Sequence, residues 1–300
     1  MRGDGVRWDN RLNWDSGDLP GTVAGDSVDL GGNQVVFGGT VTLDDMTFGA
    51  DGGLISTHGR LDVSGTLTGG AGATLDIDRA GQVWVNGTSG SEALAITVAG
   101  GRFANTGTFD GPVALTATGG QTILATGGAE FRVDGQSRIE IGGTDTRIGF
   151  DGDDDGAAIL RLETGATLGF TAEGGGFATL GEFRSGAYGA APDVQSGIDL
   201  GDADLELDVT GLTATDSFVF IDADELVGSF GSLAVQGLGN RDAEVTIDYE
   251  ADTIWLDLTQ GTGHTSLSTT GTEEMIDPGD AALWEMLTTG PDTSSEPFDL

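Results

Sequence analysis

The sequence predicts an all-β chain, a right-handed parallel β-helix (a solenoid), followed by a short C-terminal helix and tail. Residues 38–170 read as short apolar alternations: Val41-Thr42-Leu43, Leu61-Asp62-Val63, Leu75-Asp76-Ile77, Val83-Trp84-Val85, Phe131-Arg132-Val133 and Ile139-Glu140-Ile141. Each is a short strand with one buried face. Between them lie glycine-rich breaks such as Gly52-Gly53, Gly69-Gly70, Gly100-Gly101, Gly119-Gly120 and Gly142-Gly143, which give tight corners their backbone freedom. From Val35 onward the strands recur at roughly seven to ten residues, so three per coil give a period of roughly 20 or a little more, within the solenoid range.

Composition agrees. Apolar residues make up 37% of the 300, while there are 54 glycines and only 6 prolines. A thin coil needs less core and more corners than a globule, and the glycines follow no strict triplet that would signal collagen. The charge balance is 12 basic against 49 acidic residues, a net −37, and every basic residue is arginine. So negative a surface repels nucleic acid and anionic membrane, which excludes both as expected partners. Cysteine is absent, which excludes disulfides, zinc fingers and thiol chemistry. The opening residues Met1-Arg2-Gly3-Asp4-Gly5 lack the apolar run of a signal peptide, and no segment reaches membrane-spanning length. The Arg2-Gly3-Asp4 tripeptide is too short to weigh.

Taken in order, residues 1–34 form an entry block and cap, 35–258 the β-helix, and 259–300 a linker, short helix and acidic tail. In the entry block Trp8, Asn13-Trp14, Gly17, Pro20 and Asp26-Ser27-Val28 resemble the opening motif of autotransporter-like β-helix passengers. That resemblance implies a first coil whose tryptophans seal the open end of the core, as exposed strand edges require. The strict calcium-binding nonapeptide of secreted repeat proteins is absent. An acidic knot, Asp151-Gly152-Asp153-Asp154-Asp155-Gly156, interrupts the ladder, and Ile159-Leu160-Arg161-Leu162 resumes it. Residues 174–196, with Tyr188 and Pro192, read as a longer loop.

A second block resembles the end of such a passenger: residues 205–209, Phe218-Val219-Phe220-Ile221, Leu226-Val227-Gly228-Ser229-Phe230, a strand ending in Tyr249, and the closing strand Ile254-Trp255-Leu256-Asp257-Leu258. The family's translocator barrel does not follow. Residues 261–271 read as a Gly/Thr/Ser linker. Asp280 is placed to cap a short helix over Ala281-Ala282-Leu283-Trp284-Glu285-Met286-Leu287, with Leu283, Trp284 and Leu287 sharing one face. A helix this short needs a surface to dock on, its own coil or a partner.

Few residues point to chemistry. Asp151, Asp153 and Asp155 with Gly156 match the start of a calcium loop, but position twelve is Leu162 and Glu163 follows it. The alternative is a plain acidic corner. Calcium is therefore the single cofactor the sequence suggests. Paired carboxylates occur by chance among 49 acids, so glycosidase geometry has no signature here. The two histidines, His58 and His264, read as exposed turn residues, and no nucleophile–base pair or phosphate loop is evident. The expectation is a protein that is not an enzyme. Trp84, outward between Val83 and Val85, and Tyr188 are the candidate surface contacts, suited to sugar rings or another subunit.

The functional expectation is a structural or adhesive rod on the surface of a virion: a phage-type fibre, spike or decoration protein. Its expected partners are other virion proteins or further copies of itself, with a homotrimer by analogy of fold, and a host surface glycan. A secreted bacterial surface adhesin or matrix protein, extracellular rather than virion-borne, and a polysaccharide-cleaving tailspike are the alternatives.

Overall fold

Val35, Leu54, Leu75, Ile96, Leu115, Ile139, Leu168, Leu205 and Leu233 stand above one another in a single row, each paired in parallel register with the next. All but Leu233 are buried. The computed structural model, which describes residues 7–89, 94–109, 111–126, 129–151, 158–182 and 196–271, is a β-helix in which this row lines the inside of one face. A second face carries inward Val41, Leu61, Val83, Phe103, Thr122, Ile148, Leu180 and Ile221. A third carries Phe109, Phe131, Leu160, Ile198 and Leu226. Phe109 and Phe131 stack with centroids 4.2 Å apart and ring planes 22° from parallel.

Three rows of apolar side chains meeting at the centre make one continuous core. The period-two alternation of each strand requires this, since every second side chain must point inward. Parallel pairing of successive coils satisfies the backbone, so each coil depends chiefly on its two neighbours. Row members are 19 residues apart at the start, Val35 to Leu54, and 37 apart at Leu168 to Leu205. Chain is added at corners while the register between coils is kept.

Both ends are closed. Trp8 is 4% exposed and lies edge-on to Phe37 at 5.2 Å and to Trp14 at 5.0 Å. The Trp14 indole N–H donates to the Trp8 carbonyl at 2.9 Å, and the Trp8 backbone N–H donates to the Val36 carbonyl at 3.0 Å. The expected tryptophan seal is therefore present. At the far end the chain reverses. Strand Thr253–Gln260 adds antiparallel to Ser217–Asp222, Arg241–Asp248 adds antiparallel to it in turn, and Thr265–Thr270 adds parallel to Arg241–Asp248. The second face thus continues past the last coil as a flat extension. The Tyr249 hydroxyl donates to the Gly228 carbonyl at 2.6 Å, which ties the Gly228-Ser229-Phe230 turn to this extension. The Arg241 guanidinium donates to the carbonyls of Leu212 at 2.7 Å and Gly237 at 2.9 Å, where the last coil turns outward.

Two segments differ from expectation. The linker over residues 261–271 contains the strand Thr265–Thr270, and the loop over 174–196 contains the strand Leu180–Glu182. The expected docking helix with Leu283, Trp284 and Leu287 lies outside the described residues. Among the described residues the helical structure is a single 3-10 turn at Arg11–Asn13, and no helix is long and apolar enough to cross a membrane.

Outside the core, Arg138 spans three coils of the first face. It pairs with Glu140 on its own strand and donates to Glu206 at 2.5 Å, across Gly169 of the coil between, where a Cβ would collide with the Glu140 carboxylate. The hydrogen bond from Arg138 holds the Glu206 carboxyl below its ordinary value of 4.5. A depressed carboxylate contributes stability that is full above the ordinary value and fades as pH falls through the lower folded value. Glu206→Gln should therefore lower the melting temperature at pH 7, and its difference from wild type should shrink as pH falls below the ordinary carboxyl value of 4.5. A pH-independent difference in thermal melts would contradict this account.

Candidate functional site

Alternation also fixes what points outward. On the second face, Thr40, Arg60, Gln82, Arg102, Gln121 and Arg147 pair in sequence from coil to coil, and none lies inward. Arg60 and Arg147 are exposed, while Gln82, Arg102 and Gln121 are half-buried. Coils repeat at ~4.8 Å, so arginines on every second coil stand ~10 Å apart.

The neighbouring outward row runs Asp62, Trp84, Ala104, Ile123, Gly149 and Gly181. Trp84, expected as an exposed contact, faces outward but is half-buried. Arg60 lies 4.4 Å from its ring centroid and Arg102 lies 4.5 Å from it. The indole is a spacer between two guanidinium groups, each attracted to the ring's negative face. Asp62 anchors Arg60 from the other side at 2.7 Å. Trp84 also covers Ala104 and Ile123, a small apolar cluster separate from the main core.

The face is exceptional in its charge. Carboxylates make up 49 of 300 residues, yet residues 80–85, 102–109, 120–126 and 146–150, the strands beneath this row, contain none. The second-face strands of four successive coils in a strongly acidic rod therefore carry arginine, glutamine and tryptophan and no acid of their own, while Asp62 pairs with Arg60 on the coil before them.

Beyond Ile123 the outward row shrinks to glycine, and the surface sinks. Gly149 has φ +153°, and a Cβ there would overlap the Gly181 carbonyl oxygen, so the two coils touch backbone to backbone. The resulting cleft has a volume of about 320 Å³ and is lined by Arg147, Phe177, Thr144, Thr146, Thr179 and Asp222 among others. Phe177 is half-buried and held edge-on by Phe170 at 6.5 Å and Phe218 at 6.2 Å. Arg147 belongs to both features: it ends the arginine row and forms a wall of the cleft.

The other residues singled out by sequence are not brought here. Asp153, Asp155 and Tyr188 lie outside the described residues, as does the side chain of Asp151, whose backbone ends the strand Thr146–Asp151. Among the described residues no group of three or more His, Asp or Glu side chains is placed to hold a metal ion. His58 is exposed beside Thr57, with Nδ1 3.0 Å from the Thr57 hydroxyl. His264 donates its backbone N–H to Asp242 at 2.8 Å. Hydrogen bonds from the backbone N–H groups of His264, Thr262 and Gly263 hold the Asp242 carboxyl below its ordinary range. Asp242 thereby fixes the turn into the strand Thr265–Thr270, a structural task.

No family model, curated protein or solved structure matches the chain.

Proposed function

We propose that the protein is a non-enzymatic structural and adhesive rod, carried on the surface of a phage-type virion, that holds a host surface through its second face. The observation that carries this reading is the outward row of arginines, running over four carboxylate-free strands, on an otherwise acidic rod. Such a rod is kept soluble and apart from its copies by charge, while one face is left able to engage a partner. The closed tryptophan end and the flat extension at the other end give the rod two unlike termini, which suits a component mounted by one of them. Among the described residues the cleft lining includes one carboxylate, Asp222. Hydrolysis of a glycosidic bond requires a pair, so the lining favours holding a ligand over cutting it.

Antibody raised against the purified rod should label the outside of phage-type particles in negative-stain electron microscopy. Label confined to bacterial surfaces would replace the virion assignment with that of a secreted adhesin. New reducing ends or unsaturated products after incubation with host polysaccharide would overturn the non-enzymatic reading.

A further inference from the structure

We infer that the second face binds a linear acidic polysaccharide laid along the rod axis, with one anionic sugar opposite each arginine and a ring seated in the cleft at Arg147. The inference rests on the adhesive reading above and names its ligand class.

The first argument is spacing. Arg60, Arg102 and Arg147 occupy alternate coils of one outward row, ~10 Å apart at the pitch of a β-helix. Two linked pyranose rings in an extended chain cover about that length. A polymer with a carboxylate on every second sugar would therefore meet a guanidinium at each repeat. The intervening neutral sugars would face Gln82 and Gln121, whose amides donate and accept hydrogen bonds and so suit hydroxyl and acetamido groups.

The second argument is preorganisation. Guanidinium forks bind carboxylates through two parallel hydrogen bonds. Arg60 and Arg102 are already held against the faces of Trp84, so much of the side-chain entropy that binding would cost is lost in the free protein. The third argument is local charge. Charges farther than ~8 Å are largely screened at physiological ionic strength, so a ligand on this face meets the arginines together with Asp62, which pairs with Arg60, and Asp222 in the cleft, and feels little of the charge on the other faces. The fourth is the cleft. A half-buried aromatic wall, an arginine and several threonine hydroxyls in about 320 Å³ combine an apolar surface for a sugar ring with polar groups that orient it.

The test is calorimetric titration of the full chain with an octasaccharide of alternating glucuronate and N-acetylglucosamine. The same octasaccharide with its carboxyl groups reduced to alcohols, and polyglutamate, serve as the other two ligands. The acidic octasaccharide should bind. The reduced one should bind at least ten-fold more weakly, and polyglutamate, which has charge without sugar rings, should bind weakly as well. Arg102→Gln and Arg147→Gln should each weaken the acidic octasaccharide at least ten-fold, while Arg79→Gln, on an exposed arginine outside the row, should not. Both row variants replace outward side chains, and unchanged thermal melts would confirm that they fold. Equal binding of the reduced octasaccharide, equal binding of polyglutamate, or row variants that bind as wild type would each overturn the inference. Fluorescent rod on host cells separates the two levels. Cell binding that the row variants retain would sink this ligand assignment and leave the adhesive reading standing, whereas a rod that binds no cells would sink both.

Discussion

Replacing Ile139 with aspartate should break the rod at its middle. Ile139 is fully buried and sits in register between Leu115 on one coil and Leu168 on the next. An aspartate there would face apolar side chains above and below with no donor in the row. Burying an unpaired carboxylate costs several kcal/mol, and the loss of packing around it adds more, so a destabilisation above ~4 kcal/mol is expected. Because coils stabilise one another through nearest-neighbour contacts, the damage should spread to the coils on both sides. Hydrogen exchange should show lost protection over the rows flanking residue 139. Thr97→Ala, on the outward side of the same face, should stay within ~0.5 kcal/mol of wild type. An Ile139→Asp variant with an unchanged thermal melt would show that this side chain does not face the core.

Arg161→Met is expected to cost ~3–5 kcal/mol, for an electrostatic reason. The Arg161 guanidinium donates to Glu130 at 2.8 Å on the preceding coil and lies 3.6 Å from Asp199 on the following one. Glu130 and Arg161 side chains are only 6% and 12% exposed. Removing the arginine leaves a carboxylate buried without its counter-charge, and that penalty exceeds what the intact pair contributes. The double variant Glu130→Met/Arg161→Met should recover most of the loss, because it removes both charges together. Urea unfolding of the two single variants and the double completes the cycle. A double variant no better than Arg161→Met alone would place the effect in packing rather than charge.

The repeat architecture was legible because it rests on a local rule. Alternation of apolar and polar residues in Val83-Trp84-Val85 or Ile139-Glu140-Ile141 states which side chains point inward, whatever lies elsewhere in the chain. The ends were legible for a similar reason, since bulky side chains such as Trp8 and Tyr249 have little use outside a closure. The strand Thr265–Thr270 was missed because, among the described residues, it forms the outer edge of the extension. Its threonines and serines need no buried face, so its composition reads as linker. Leu180–Glu182 was missed because so short a strand has no period to detect.

The arginine row escaped for a different reason. Arg60, Arg102 and Arg147 are separated by uneven stretches of chain, and the register that aligns them is set by corners of varying length. The missing signal was a negative one: strand segments free of acid in a chain where acids are frequent. Trp84 was correctly assigned to the outside from its place between two valines. Its two arginine partners come from the coils before and after, and a single strand carries no record of its neighbours.

The corner between the second and third faces has a consequence for how such a rod changes over time. Its connections run from Thr126 to Glu130, Asp151 to Ala158, Glu182 to Ser196 and Asp222 to Glu225, while Phe131, Leu160, Ile198 and Leu226 stay in register across them. Chain length at this corner is thus uncoupled from the stacking of the coils. Closing a longer loop costs only about 0.6 kcal/mol for each doubling of its length. A lineage can therefore rewrite, lengthen or replace the peptide at this edge while inheriting the rod unchanged, and an engineer can use the same edge to display foreign sequence.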